Sequence, residues 1–377
     1  SHLAILLILM TAVTITTISI AYSNLIRHFP GGGGGYLVAT KLLGSRVGLV
    51  SGCALLVDYV LTITVSVASG CDQIWSFLPP HWQPYKLLAE FLVLTLLAIL
   101  NLRGVKESVN LMAPVFLLFV ITHAFMIVYA IVAHATELPS VFSGTATEFR
   151  ASVNELGLVP TLLILLRAYS LGGGTYTGIE AVSTGVPMLR EPRVLTGQRT
   201  MAIMAFSLAF TAGGILFGYL LTDAQHMPGR TMNAVLLGEL FGGWHIGDLA
   251  VGHWLVVVSL AAAAALLFVA AQAGFLAGPR ILANMALDSW MPHRFAQLSD
   301  RLVAQNGVVM MAMAAGAALL YTQGAIGTLV VMYSINVFIT FSLSLLGMAR
   351  LWIGLRKKER HWKRYLAIHA FGLLMCG

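Results

Sequence analysis

Residues 157–189 read GLVPTLLILLRAYSLGGGTYTGIEAVSTGVPML. Both ends of this stretch are apolar enough to lie in a bilayer. Its centre, Gly172, Gly173 and Gly174, consists of the poorest helix formers short of proline. A span broken in its middle exposes backbone N–H and C=O groups at membrane depth, which is tolerated only where protein or a water-filled cavity surrounds them. Discontinuous helices of this kind build substrate and ion sites near the bilayer midplane. Just past the glycines stands a carboxylate, Glu180, with Tyr176, Thr177, Ser183 and Thr184 at i−4, i−3, i+3 and i+4. On a continuous helix these hydroxyls share its face. Carboxylate, hydroxyls and freed carbonyls make a hard-oxygen environment suited to a monovalent cation, or to a carboxyl that loads and releases a proton. The plainer alternative is that Glu180 bonds neighbouring backbone N–H groups and holds the broken helix in shape.

The rest of the chain agrees that its solvent is lipid. Of 377 residues, 58% are hydrophobic and only 10% charged, where a soluble protein carries about 25%. Apolar spans are read over 3–26, 47–77, 87–102, 111–134, 159–188, 200–222, 252–279, 307–322 and 325–349, with a tenth beginning near 365. Most approach the roughly 20 residues needed to cross a bilayer. The net charge of +7 does not point to nucleic acid, because it is sorted by loop. Loops 27–46, 103–108, 190–199, 280–305 and 350–364 hold 18 of the 22 Lys and Arg residues, which places them in the cytoplasm. The other loops carry Lys86, Arg150 and Arg230, and Arg167 falls inside a span. The basic run Arg356–Arg364 then lies beside anionic lipid as a stop-transfer anchor.

Smaller features fill in the organisation. Pro30 and the five glycines Gly31–Gly35 stop the first span, and a short re-entrant or interfacial segment follows. No Lys-Ser/Thr follows these glycines, so they are not a phosphate loop. The stretch MNAVLLGELFG within 224–250 reads as a short helix on the outer face, and 281–300 as an amphipathic cytoplasmic connection whose helix Pro292 kinks or ends. Cys53, Cys71 and Cys376 read as small buried core residues without metal-ligand spacing. The opening SHLAILLILM is a span and not a signal peptide. Without an initiator methionine, the chain reads as an internal fragment.

Charges inside spans are costly, and each is a functional hypothesis. Asp58, in LLVDYVLTITVSVASGCD, is followed at helical spacing by Thr62, Ser66, Ser69 and Asp72. This polar stripe on one face of the second span faces a cavity or a partner helix and not lipid. Glu90 sits near the end of its span, where solvation at the interface is the expectation. Arg167 needs a partner such as Glu90 or must snorkel to the surface. Tyr333 and Asn336 give the span 325–349 a polar patch. Tyr59 and Tyr169 read as packing. No nucleophile–base arrangement is visible, so no enzyme is expected.

These segments, FPGGGGGY, LLVDYVLT, NLRGVKES, YTGIEAVSTGVPMLREP and ANMALDSWMP, resemble the amino acid–polyamine–organocation superfamily, and most closely the KimA-type, KUP-related potassium transporters. The resemblance implies an all-α, LeuT-like fold of two inverted five-helix repeats, with helices 2–5 in 1–134, helices 6–10 in 159–349, and helix 11 beginning at 365–377. It implies that helix 1 and a cytosolic C-terminal domain lie outside this chain. It also implies alternating access with proton-coupled uptake, a plasma-membrane location and a homodimer, with potassium and protons as transported ions and no cofactor. By motif position Asp58, Glu180 and Tyr333 match residues implicated in cation binding, with Asp58 and Glu180 as potassium ligands. Thr62, Tyr176, Thr177 and the Gly172–Gly174 carbonyls complete the candidate site. A proton-coupled amino-acid permease of the same fold is the alternative, in which half-helix N-termini hold a substrate carboxylate. A scaffold or receptor without flux is a third reading. An ion channel lacks support, since no carbonyl filter such as TVGYG appears.

Overall fold

The computed structural model describes residues 2–104, 109–176, 178–299 and 304–377. Among the described residues the chain is helical throughout and contains no strand. Fourteen α-helices are seen there: α1 (Ala4–His28), α2 (Gly34–Leu43), α3 (Ser45–Trp75), α4 (Lys86–Leu102), α5 (Val109–Ala133), α6 (Leu138–Leu156), α7 (Leu158–Leu171), α8 (Ile179–Thr184), α9 (Arg193–Leu221), α10 (Met232–Phe241), α11 (Val251–Leu287), α12 (Gln305–Thr322), α13 (Ile326–Gly354) and α14 (Trp362–Cys376). Among the described residues, eight helical segments are long and apolar enough to cross a membrane, and the α7–α8 segment is one of them. This is a multi-pass, all-α membrane protein.

The most buried span, α3, stands at the centre. It packs against α11 along most of its length and against α2, α13, α12 and α4 on its other sides. The α3–α11 backbones approach so closely that a Cβ on Gly274 would sit 2.7 Å from the Tyr59 carbonyl oxygen. Small residues at such crossings allow the tight packing that substitutes for the hydrophobic effect inside lipid. Around this pair, α1 lies on α9 and α14, and α10 rests over α11. The polar stripe of α3 is buried as expected, with Asp58, Thr62 and Ser66 at most 5% exposed. The far side is buried too at Ile63 and Val67, whereas Cys53 and Val57, nearer the start of the helix, are exposed.

Several expectations are corrected. α11 does not end near residue 279 but continues to Leu287, because Ile281, Leu282 and Met285 prolong its apolar face into the core. Arg280 therefore belongs to a helix and not to a loop, and Pro292 opens a short 3-10 turn at His293–Phe295 after the helix has ended. The stretch 138–156, read as loop, is the largely exposed helix α6. Cys53 is exposed and not a core residue, whereas Cys71 is buried.

Glu90 is fully buried, not solvated at an interface. The turn after α12 folds over it, and Gly324, at φ 68°, has no side chain to collide with its two carboxylate oxygens. Its ion-pair partner is Lys86 at 3.7 Å, which also bonds Asp72 at 2.6 Å, so Arg167 is not needed there. The Arg167 side chain is itself exposed. Removing one partner of a buried pair strands the other. Lys86→Met is therefore expected to lower unfolding stability by about 3 kcal/mol, read as an earlier thermal transition in detergent, while Arg167→Gln leaves it within about 0.5 kcal/mol.

Candidate functional site at the interrupted helix

The break is real. α7 ends at Leu171, a 3-10 turn covers Gly172–Tyr176, and α8 starts only after Gly178, which holds φ 95°. The three glycines serve different ends. Gly173 is pressed onto α13, where a Cβ would come within 3.0 Å of Ser334. Gly172 and Gly174 border open space, with nothing within 4 Å of an added Cβ. The break also cancels the helical spacing that placed Tyr176 beside Glu180. Tyr176 packs instead edge-on against Phe338 and at a tilt to Phe341 of α13. Its hydroxyl faces Tyr169, Thr11 and Thr14, and the Tyr169 and Thr14 hydroxyls are 2.8 Å apart. Thr177 lies outside the described residues.

Glu180 is 4% exposed on α8. Its Oε1 accepts a 2.6 Å hydrogen bond from the backbone N–H of Gly35, the second residue of α2. No side chain caps the start of α2, which follows Gly33 at φ 90°. The first N–H groups of a helix have no partner within it, and a carboxylate there gains from the helix dipole. Glu180 thus supplies, from 145 residues away, the acceptor that the pentaglycine segment lacks. Its Oε2 has no hydrogen-bond partner. The Tyr22 hydroxyl of α1 faces Glu180 and Ser344 without making a hydrogen bond of normal geometry.

Asp58 on α3 is 5% exposed, and its Oδ1 is likewise without a partner. Glu180 lies within electrostatic range of it. The residue after it, Tyr59, ties α3 to α8 through a 3.3 Å contact between its hydroxyl and that of Thr184. Tyr59 is within electrostatic range of Glu180, Asp58 and Tyr333 together. Tyr333, on α13, is 2% exposed. Tyr59, expected to serve packing, therefore lies on the helix face that Asp58, Glu180 and Tyr333 influence electrostatically, and its hydroxyl touches Thr184. Arg280 of α11 lies near Tyr59 and contacts the Met188 sulfur.

A second contact closes the same end. The Tyr36 hydroxyl of α2 donates to Asp288 Oδ2 at 2.5 Å, joining α2 to the end of α11. Burial and then the bonded Asp288 carboxylate push this hydroxyl above the ordinary phenol range, so it stays a donor at neutral pH.

Sequence reasoning missed Tyr22, Tyr59, Ser344 and the Gly34–Gly35 amides. The one available signal was a glycine-started helix with no Ser, Thr, Asp or Asn to cap it. The capping role predicts a split between two Glu180 variants. Glu180→Gln keeps an acceptor for Gly35 and is expected to melt close to the native protein. Glu180→Leu strands the buried N–H and is expected to lose about 1–3 kcal/mol, measured by thermal unfolding in detergent.

Comparison with known proteins bears on the whole chain. The sequence pattern of a family described as amino acid permease matches residues 1–377. The chain is also 32% identical over 371 residues to the potassium transporter KimA of Bacillus subtilis (strain 168), an alignment that takes in 94% of this chain and 56% of that protein. The chain thus spans little more than half the length of this relative.

Proposed function

The chain belongs to the amino acid permease family, and from that premise we propose that it is a secondary transporter that takes up potassium by alternating access, coupled to protons. The observation that carries this reading is the pair of buried carboxylates, Asp58 and Glu180, each with one unpartnered oxygen, held beside an interrupted helix. A carboxylate out of water needs a countercharge, either a bound cation or a proton. Two neighbouring carboxylates on different helices accommodate one of each. Asp58, whose Oδ1 is open, is the cation ligand, with Tyr333, Thr62 and the backbone around Gly172–Gly174 as neutral oxygen donors. Glu180 carries the proton, because its other oxygen is committed to α2. Protonating or ionising it changes how firmly α2 is held against α8.

In this account the basic loops lie in the cytoplasm of a plasma-membrane protein, and α2 with Tyr36 and Asp288 closes the inner side of the site. The potassium transport by which this relative is named supports potassium as substrate. The family description supports the second reading, a proton-coupled amino-acid permease. Uptake by the intact protein in liposomes, driven by an inward proton gradient, separates them. Potassium accumulation that excess amino acids leave unchanged is the expected result. Accumulation of an amino acid with no potassium flux would replace the first reading with the second.

A further inference from the structure

α1 and α9 run side by side, with Gly197 against Ile26 at one end and Gly213 against Ile8 at the other. Between these contacts they part, leaving a groove of about 450 Å³. One wall is polar: Ser19, Ser23 and Asn24 from α1 and Gln198 from α9. Ser19 and Asn24 are 3% and 9% exposed, and the Ser19 Oγ and Asn24 Nδ2 have no hydrogen-bond partner. Gln198 Nε2 donates to the Ser23 carbonyl at 3.3 Å. The outer wall is apolar and faces away from the protein, Phe206 being 75% exposed.

Buried donors without acceptors are costly at membrane depth, so the groove asks for an occupant that brings oxygen acceptors. At its basic-loop end it also asks for negative charge. Arg27 lies three and four residues beyond Asn24 and Ser23, which sets it on the same face of α1, and it is exposed. Arg199 follows Gln198, precedes the groove residue Ala202 by three, and is also exposed. The Ile26–Gly197 contact puts both arginines at one level of the bundle. The nearby Glu191 is paired with Arg193 at 3.0 Å.

Two guanidiniums, then a belt of hydrogen-bond donors, then an apolar wall follow the order of phosphate, ester carbonyls and acyl chain in a phospholipid. We propose that the α1–α9 groove binds one anionic phospholipid from the leaflet on the basic-loop side, its phosphate on Arg27 and Arg199 and its ester oxygens on Ser19 and Asn24. Basic pockets between membrane helices hold such headgroups. The occupant would join α1, which carries Tyr22, to α9, which leads out of the broken span.

Native mass spectrometry of the intact protein with phosphatidylglycerol and phosphatidylcholine of matched chains tests this. One phosphatidylglycerol is expected to be retained in preference to phosphatidylcholine. The double substitution Arg27→Gln, Arg199→Gln is expected to weaken retention about 30-fold, and Arg27→Lys with Arg199→Lys to preserve most of it. Equal retention by the glutamine protein, or equal retention of both lipids, would overturn the proposal. A second measurement needs no variant. Photoactivatable phosphatidylglycerol reconstituted with the native protein should label the segment Ala202–Phe206. Labelling spread evenly over the exposed helix faces would overturn it, and so would a Phe206→Cys cross-link between two copies in lipid, which would make the groove a protein interface.

Discussion

Potassium uptake by the Asp58→Asn protein in liposomes is expected to fall about 100-fold, close to 2.7 kcal/mol of cation binding, while the protein stays folded. The magnitude follows from removing a formal charge next to a desolvated cation. At about 4 Å and an effective dielectric near 20 that interaction is worth roughly 4 kcal/mol, and part of it survives through the amide oxygen. The stability side of the result is what separates a ligand from a structural residue. Asp58 Oδ1 has no hydrogen-bond partner to lose, and its carboxyl is buried with the Glu180 carboxyl within electrostatic range. Asparagine keeps the shape and removes the cost of a buried charge. The variant should melt at or above the native temperature, in the manner of sites where function is held against stability. Lost uptake together with a lower melting temperature would instead make Asp58 a structural residue.

Gly34→Ala is expected to lower stability by about 3 kcal/mol and to abolish transport. Gly34 holds φ 50°, in the left-handed region, which costs a residue with a Cβ about 1 kcal/mol. That Cβ would also collide with Glu180 Oε1 and the Thr184 hydroxyl and stand 3.2 Å from the Ser183 hydroxyl. The neighbours have little room to yield, because Glu180 Oε1 is the acceptor for the Gly35 N–H. Moving it breaks a charge-assisted bond worth roughly 1.5–3 kcal/mol. The matched control is Gly31→Ala. Gly31 belongs to the same glycine run but meets nothing within 4 Å and is not among the positive-φ glycines. It should behave as the native protein in thermal unfolding and uptake. If both variants behave alike, the α2–Glu180 contact holds nothing together.

The interrupted span was legible because lipid imposes a strict rule. Three glycines between apolar halves have no other physical reading than a break inside protein or at a cavity, and the helix does stop at Leu171. The α3 stripe was legible for a similar reason, since Asp58, Thr62 and Ser66 repeat at helical spacing along one face. What lay beyond reach was set by contacts distant in sequence. Glu180 meets an amide 145 residues away. Glu90 is covered by Gly324, which belongs to the turn after α12. Tyr176 was misplaced by the break itself, because helical spacing was carried across residues that are not α-helical. Arg280 was assigned to a loop because its charge ended the apolar run, although the helix continues through it.

The central claim is that the two buried carboxylates and the broken helix form a cation site. Thermal unfolding of the purified intact protein, titrated separately with potassium, sodium and a panel of amino acids, tests it most directly, since a ligand of the folded state raises the transition in proportion to its binding. The expected result is a potassium-dependent rise that sodium does not match and that Asp58→Asn removes. A rise produced by an amino acid, with potassium without effect, would contradict it.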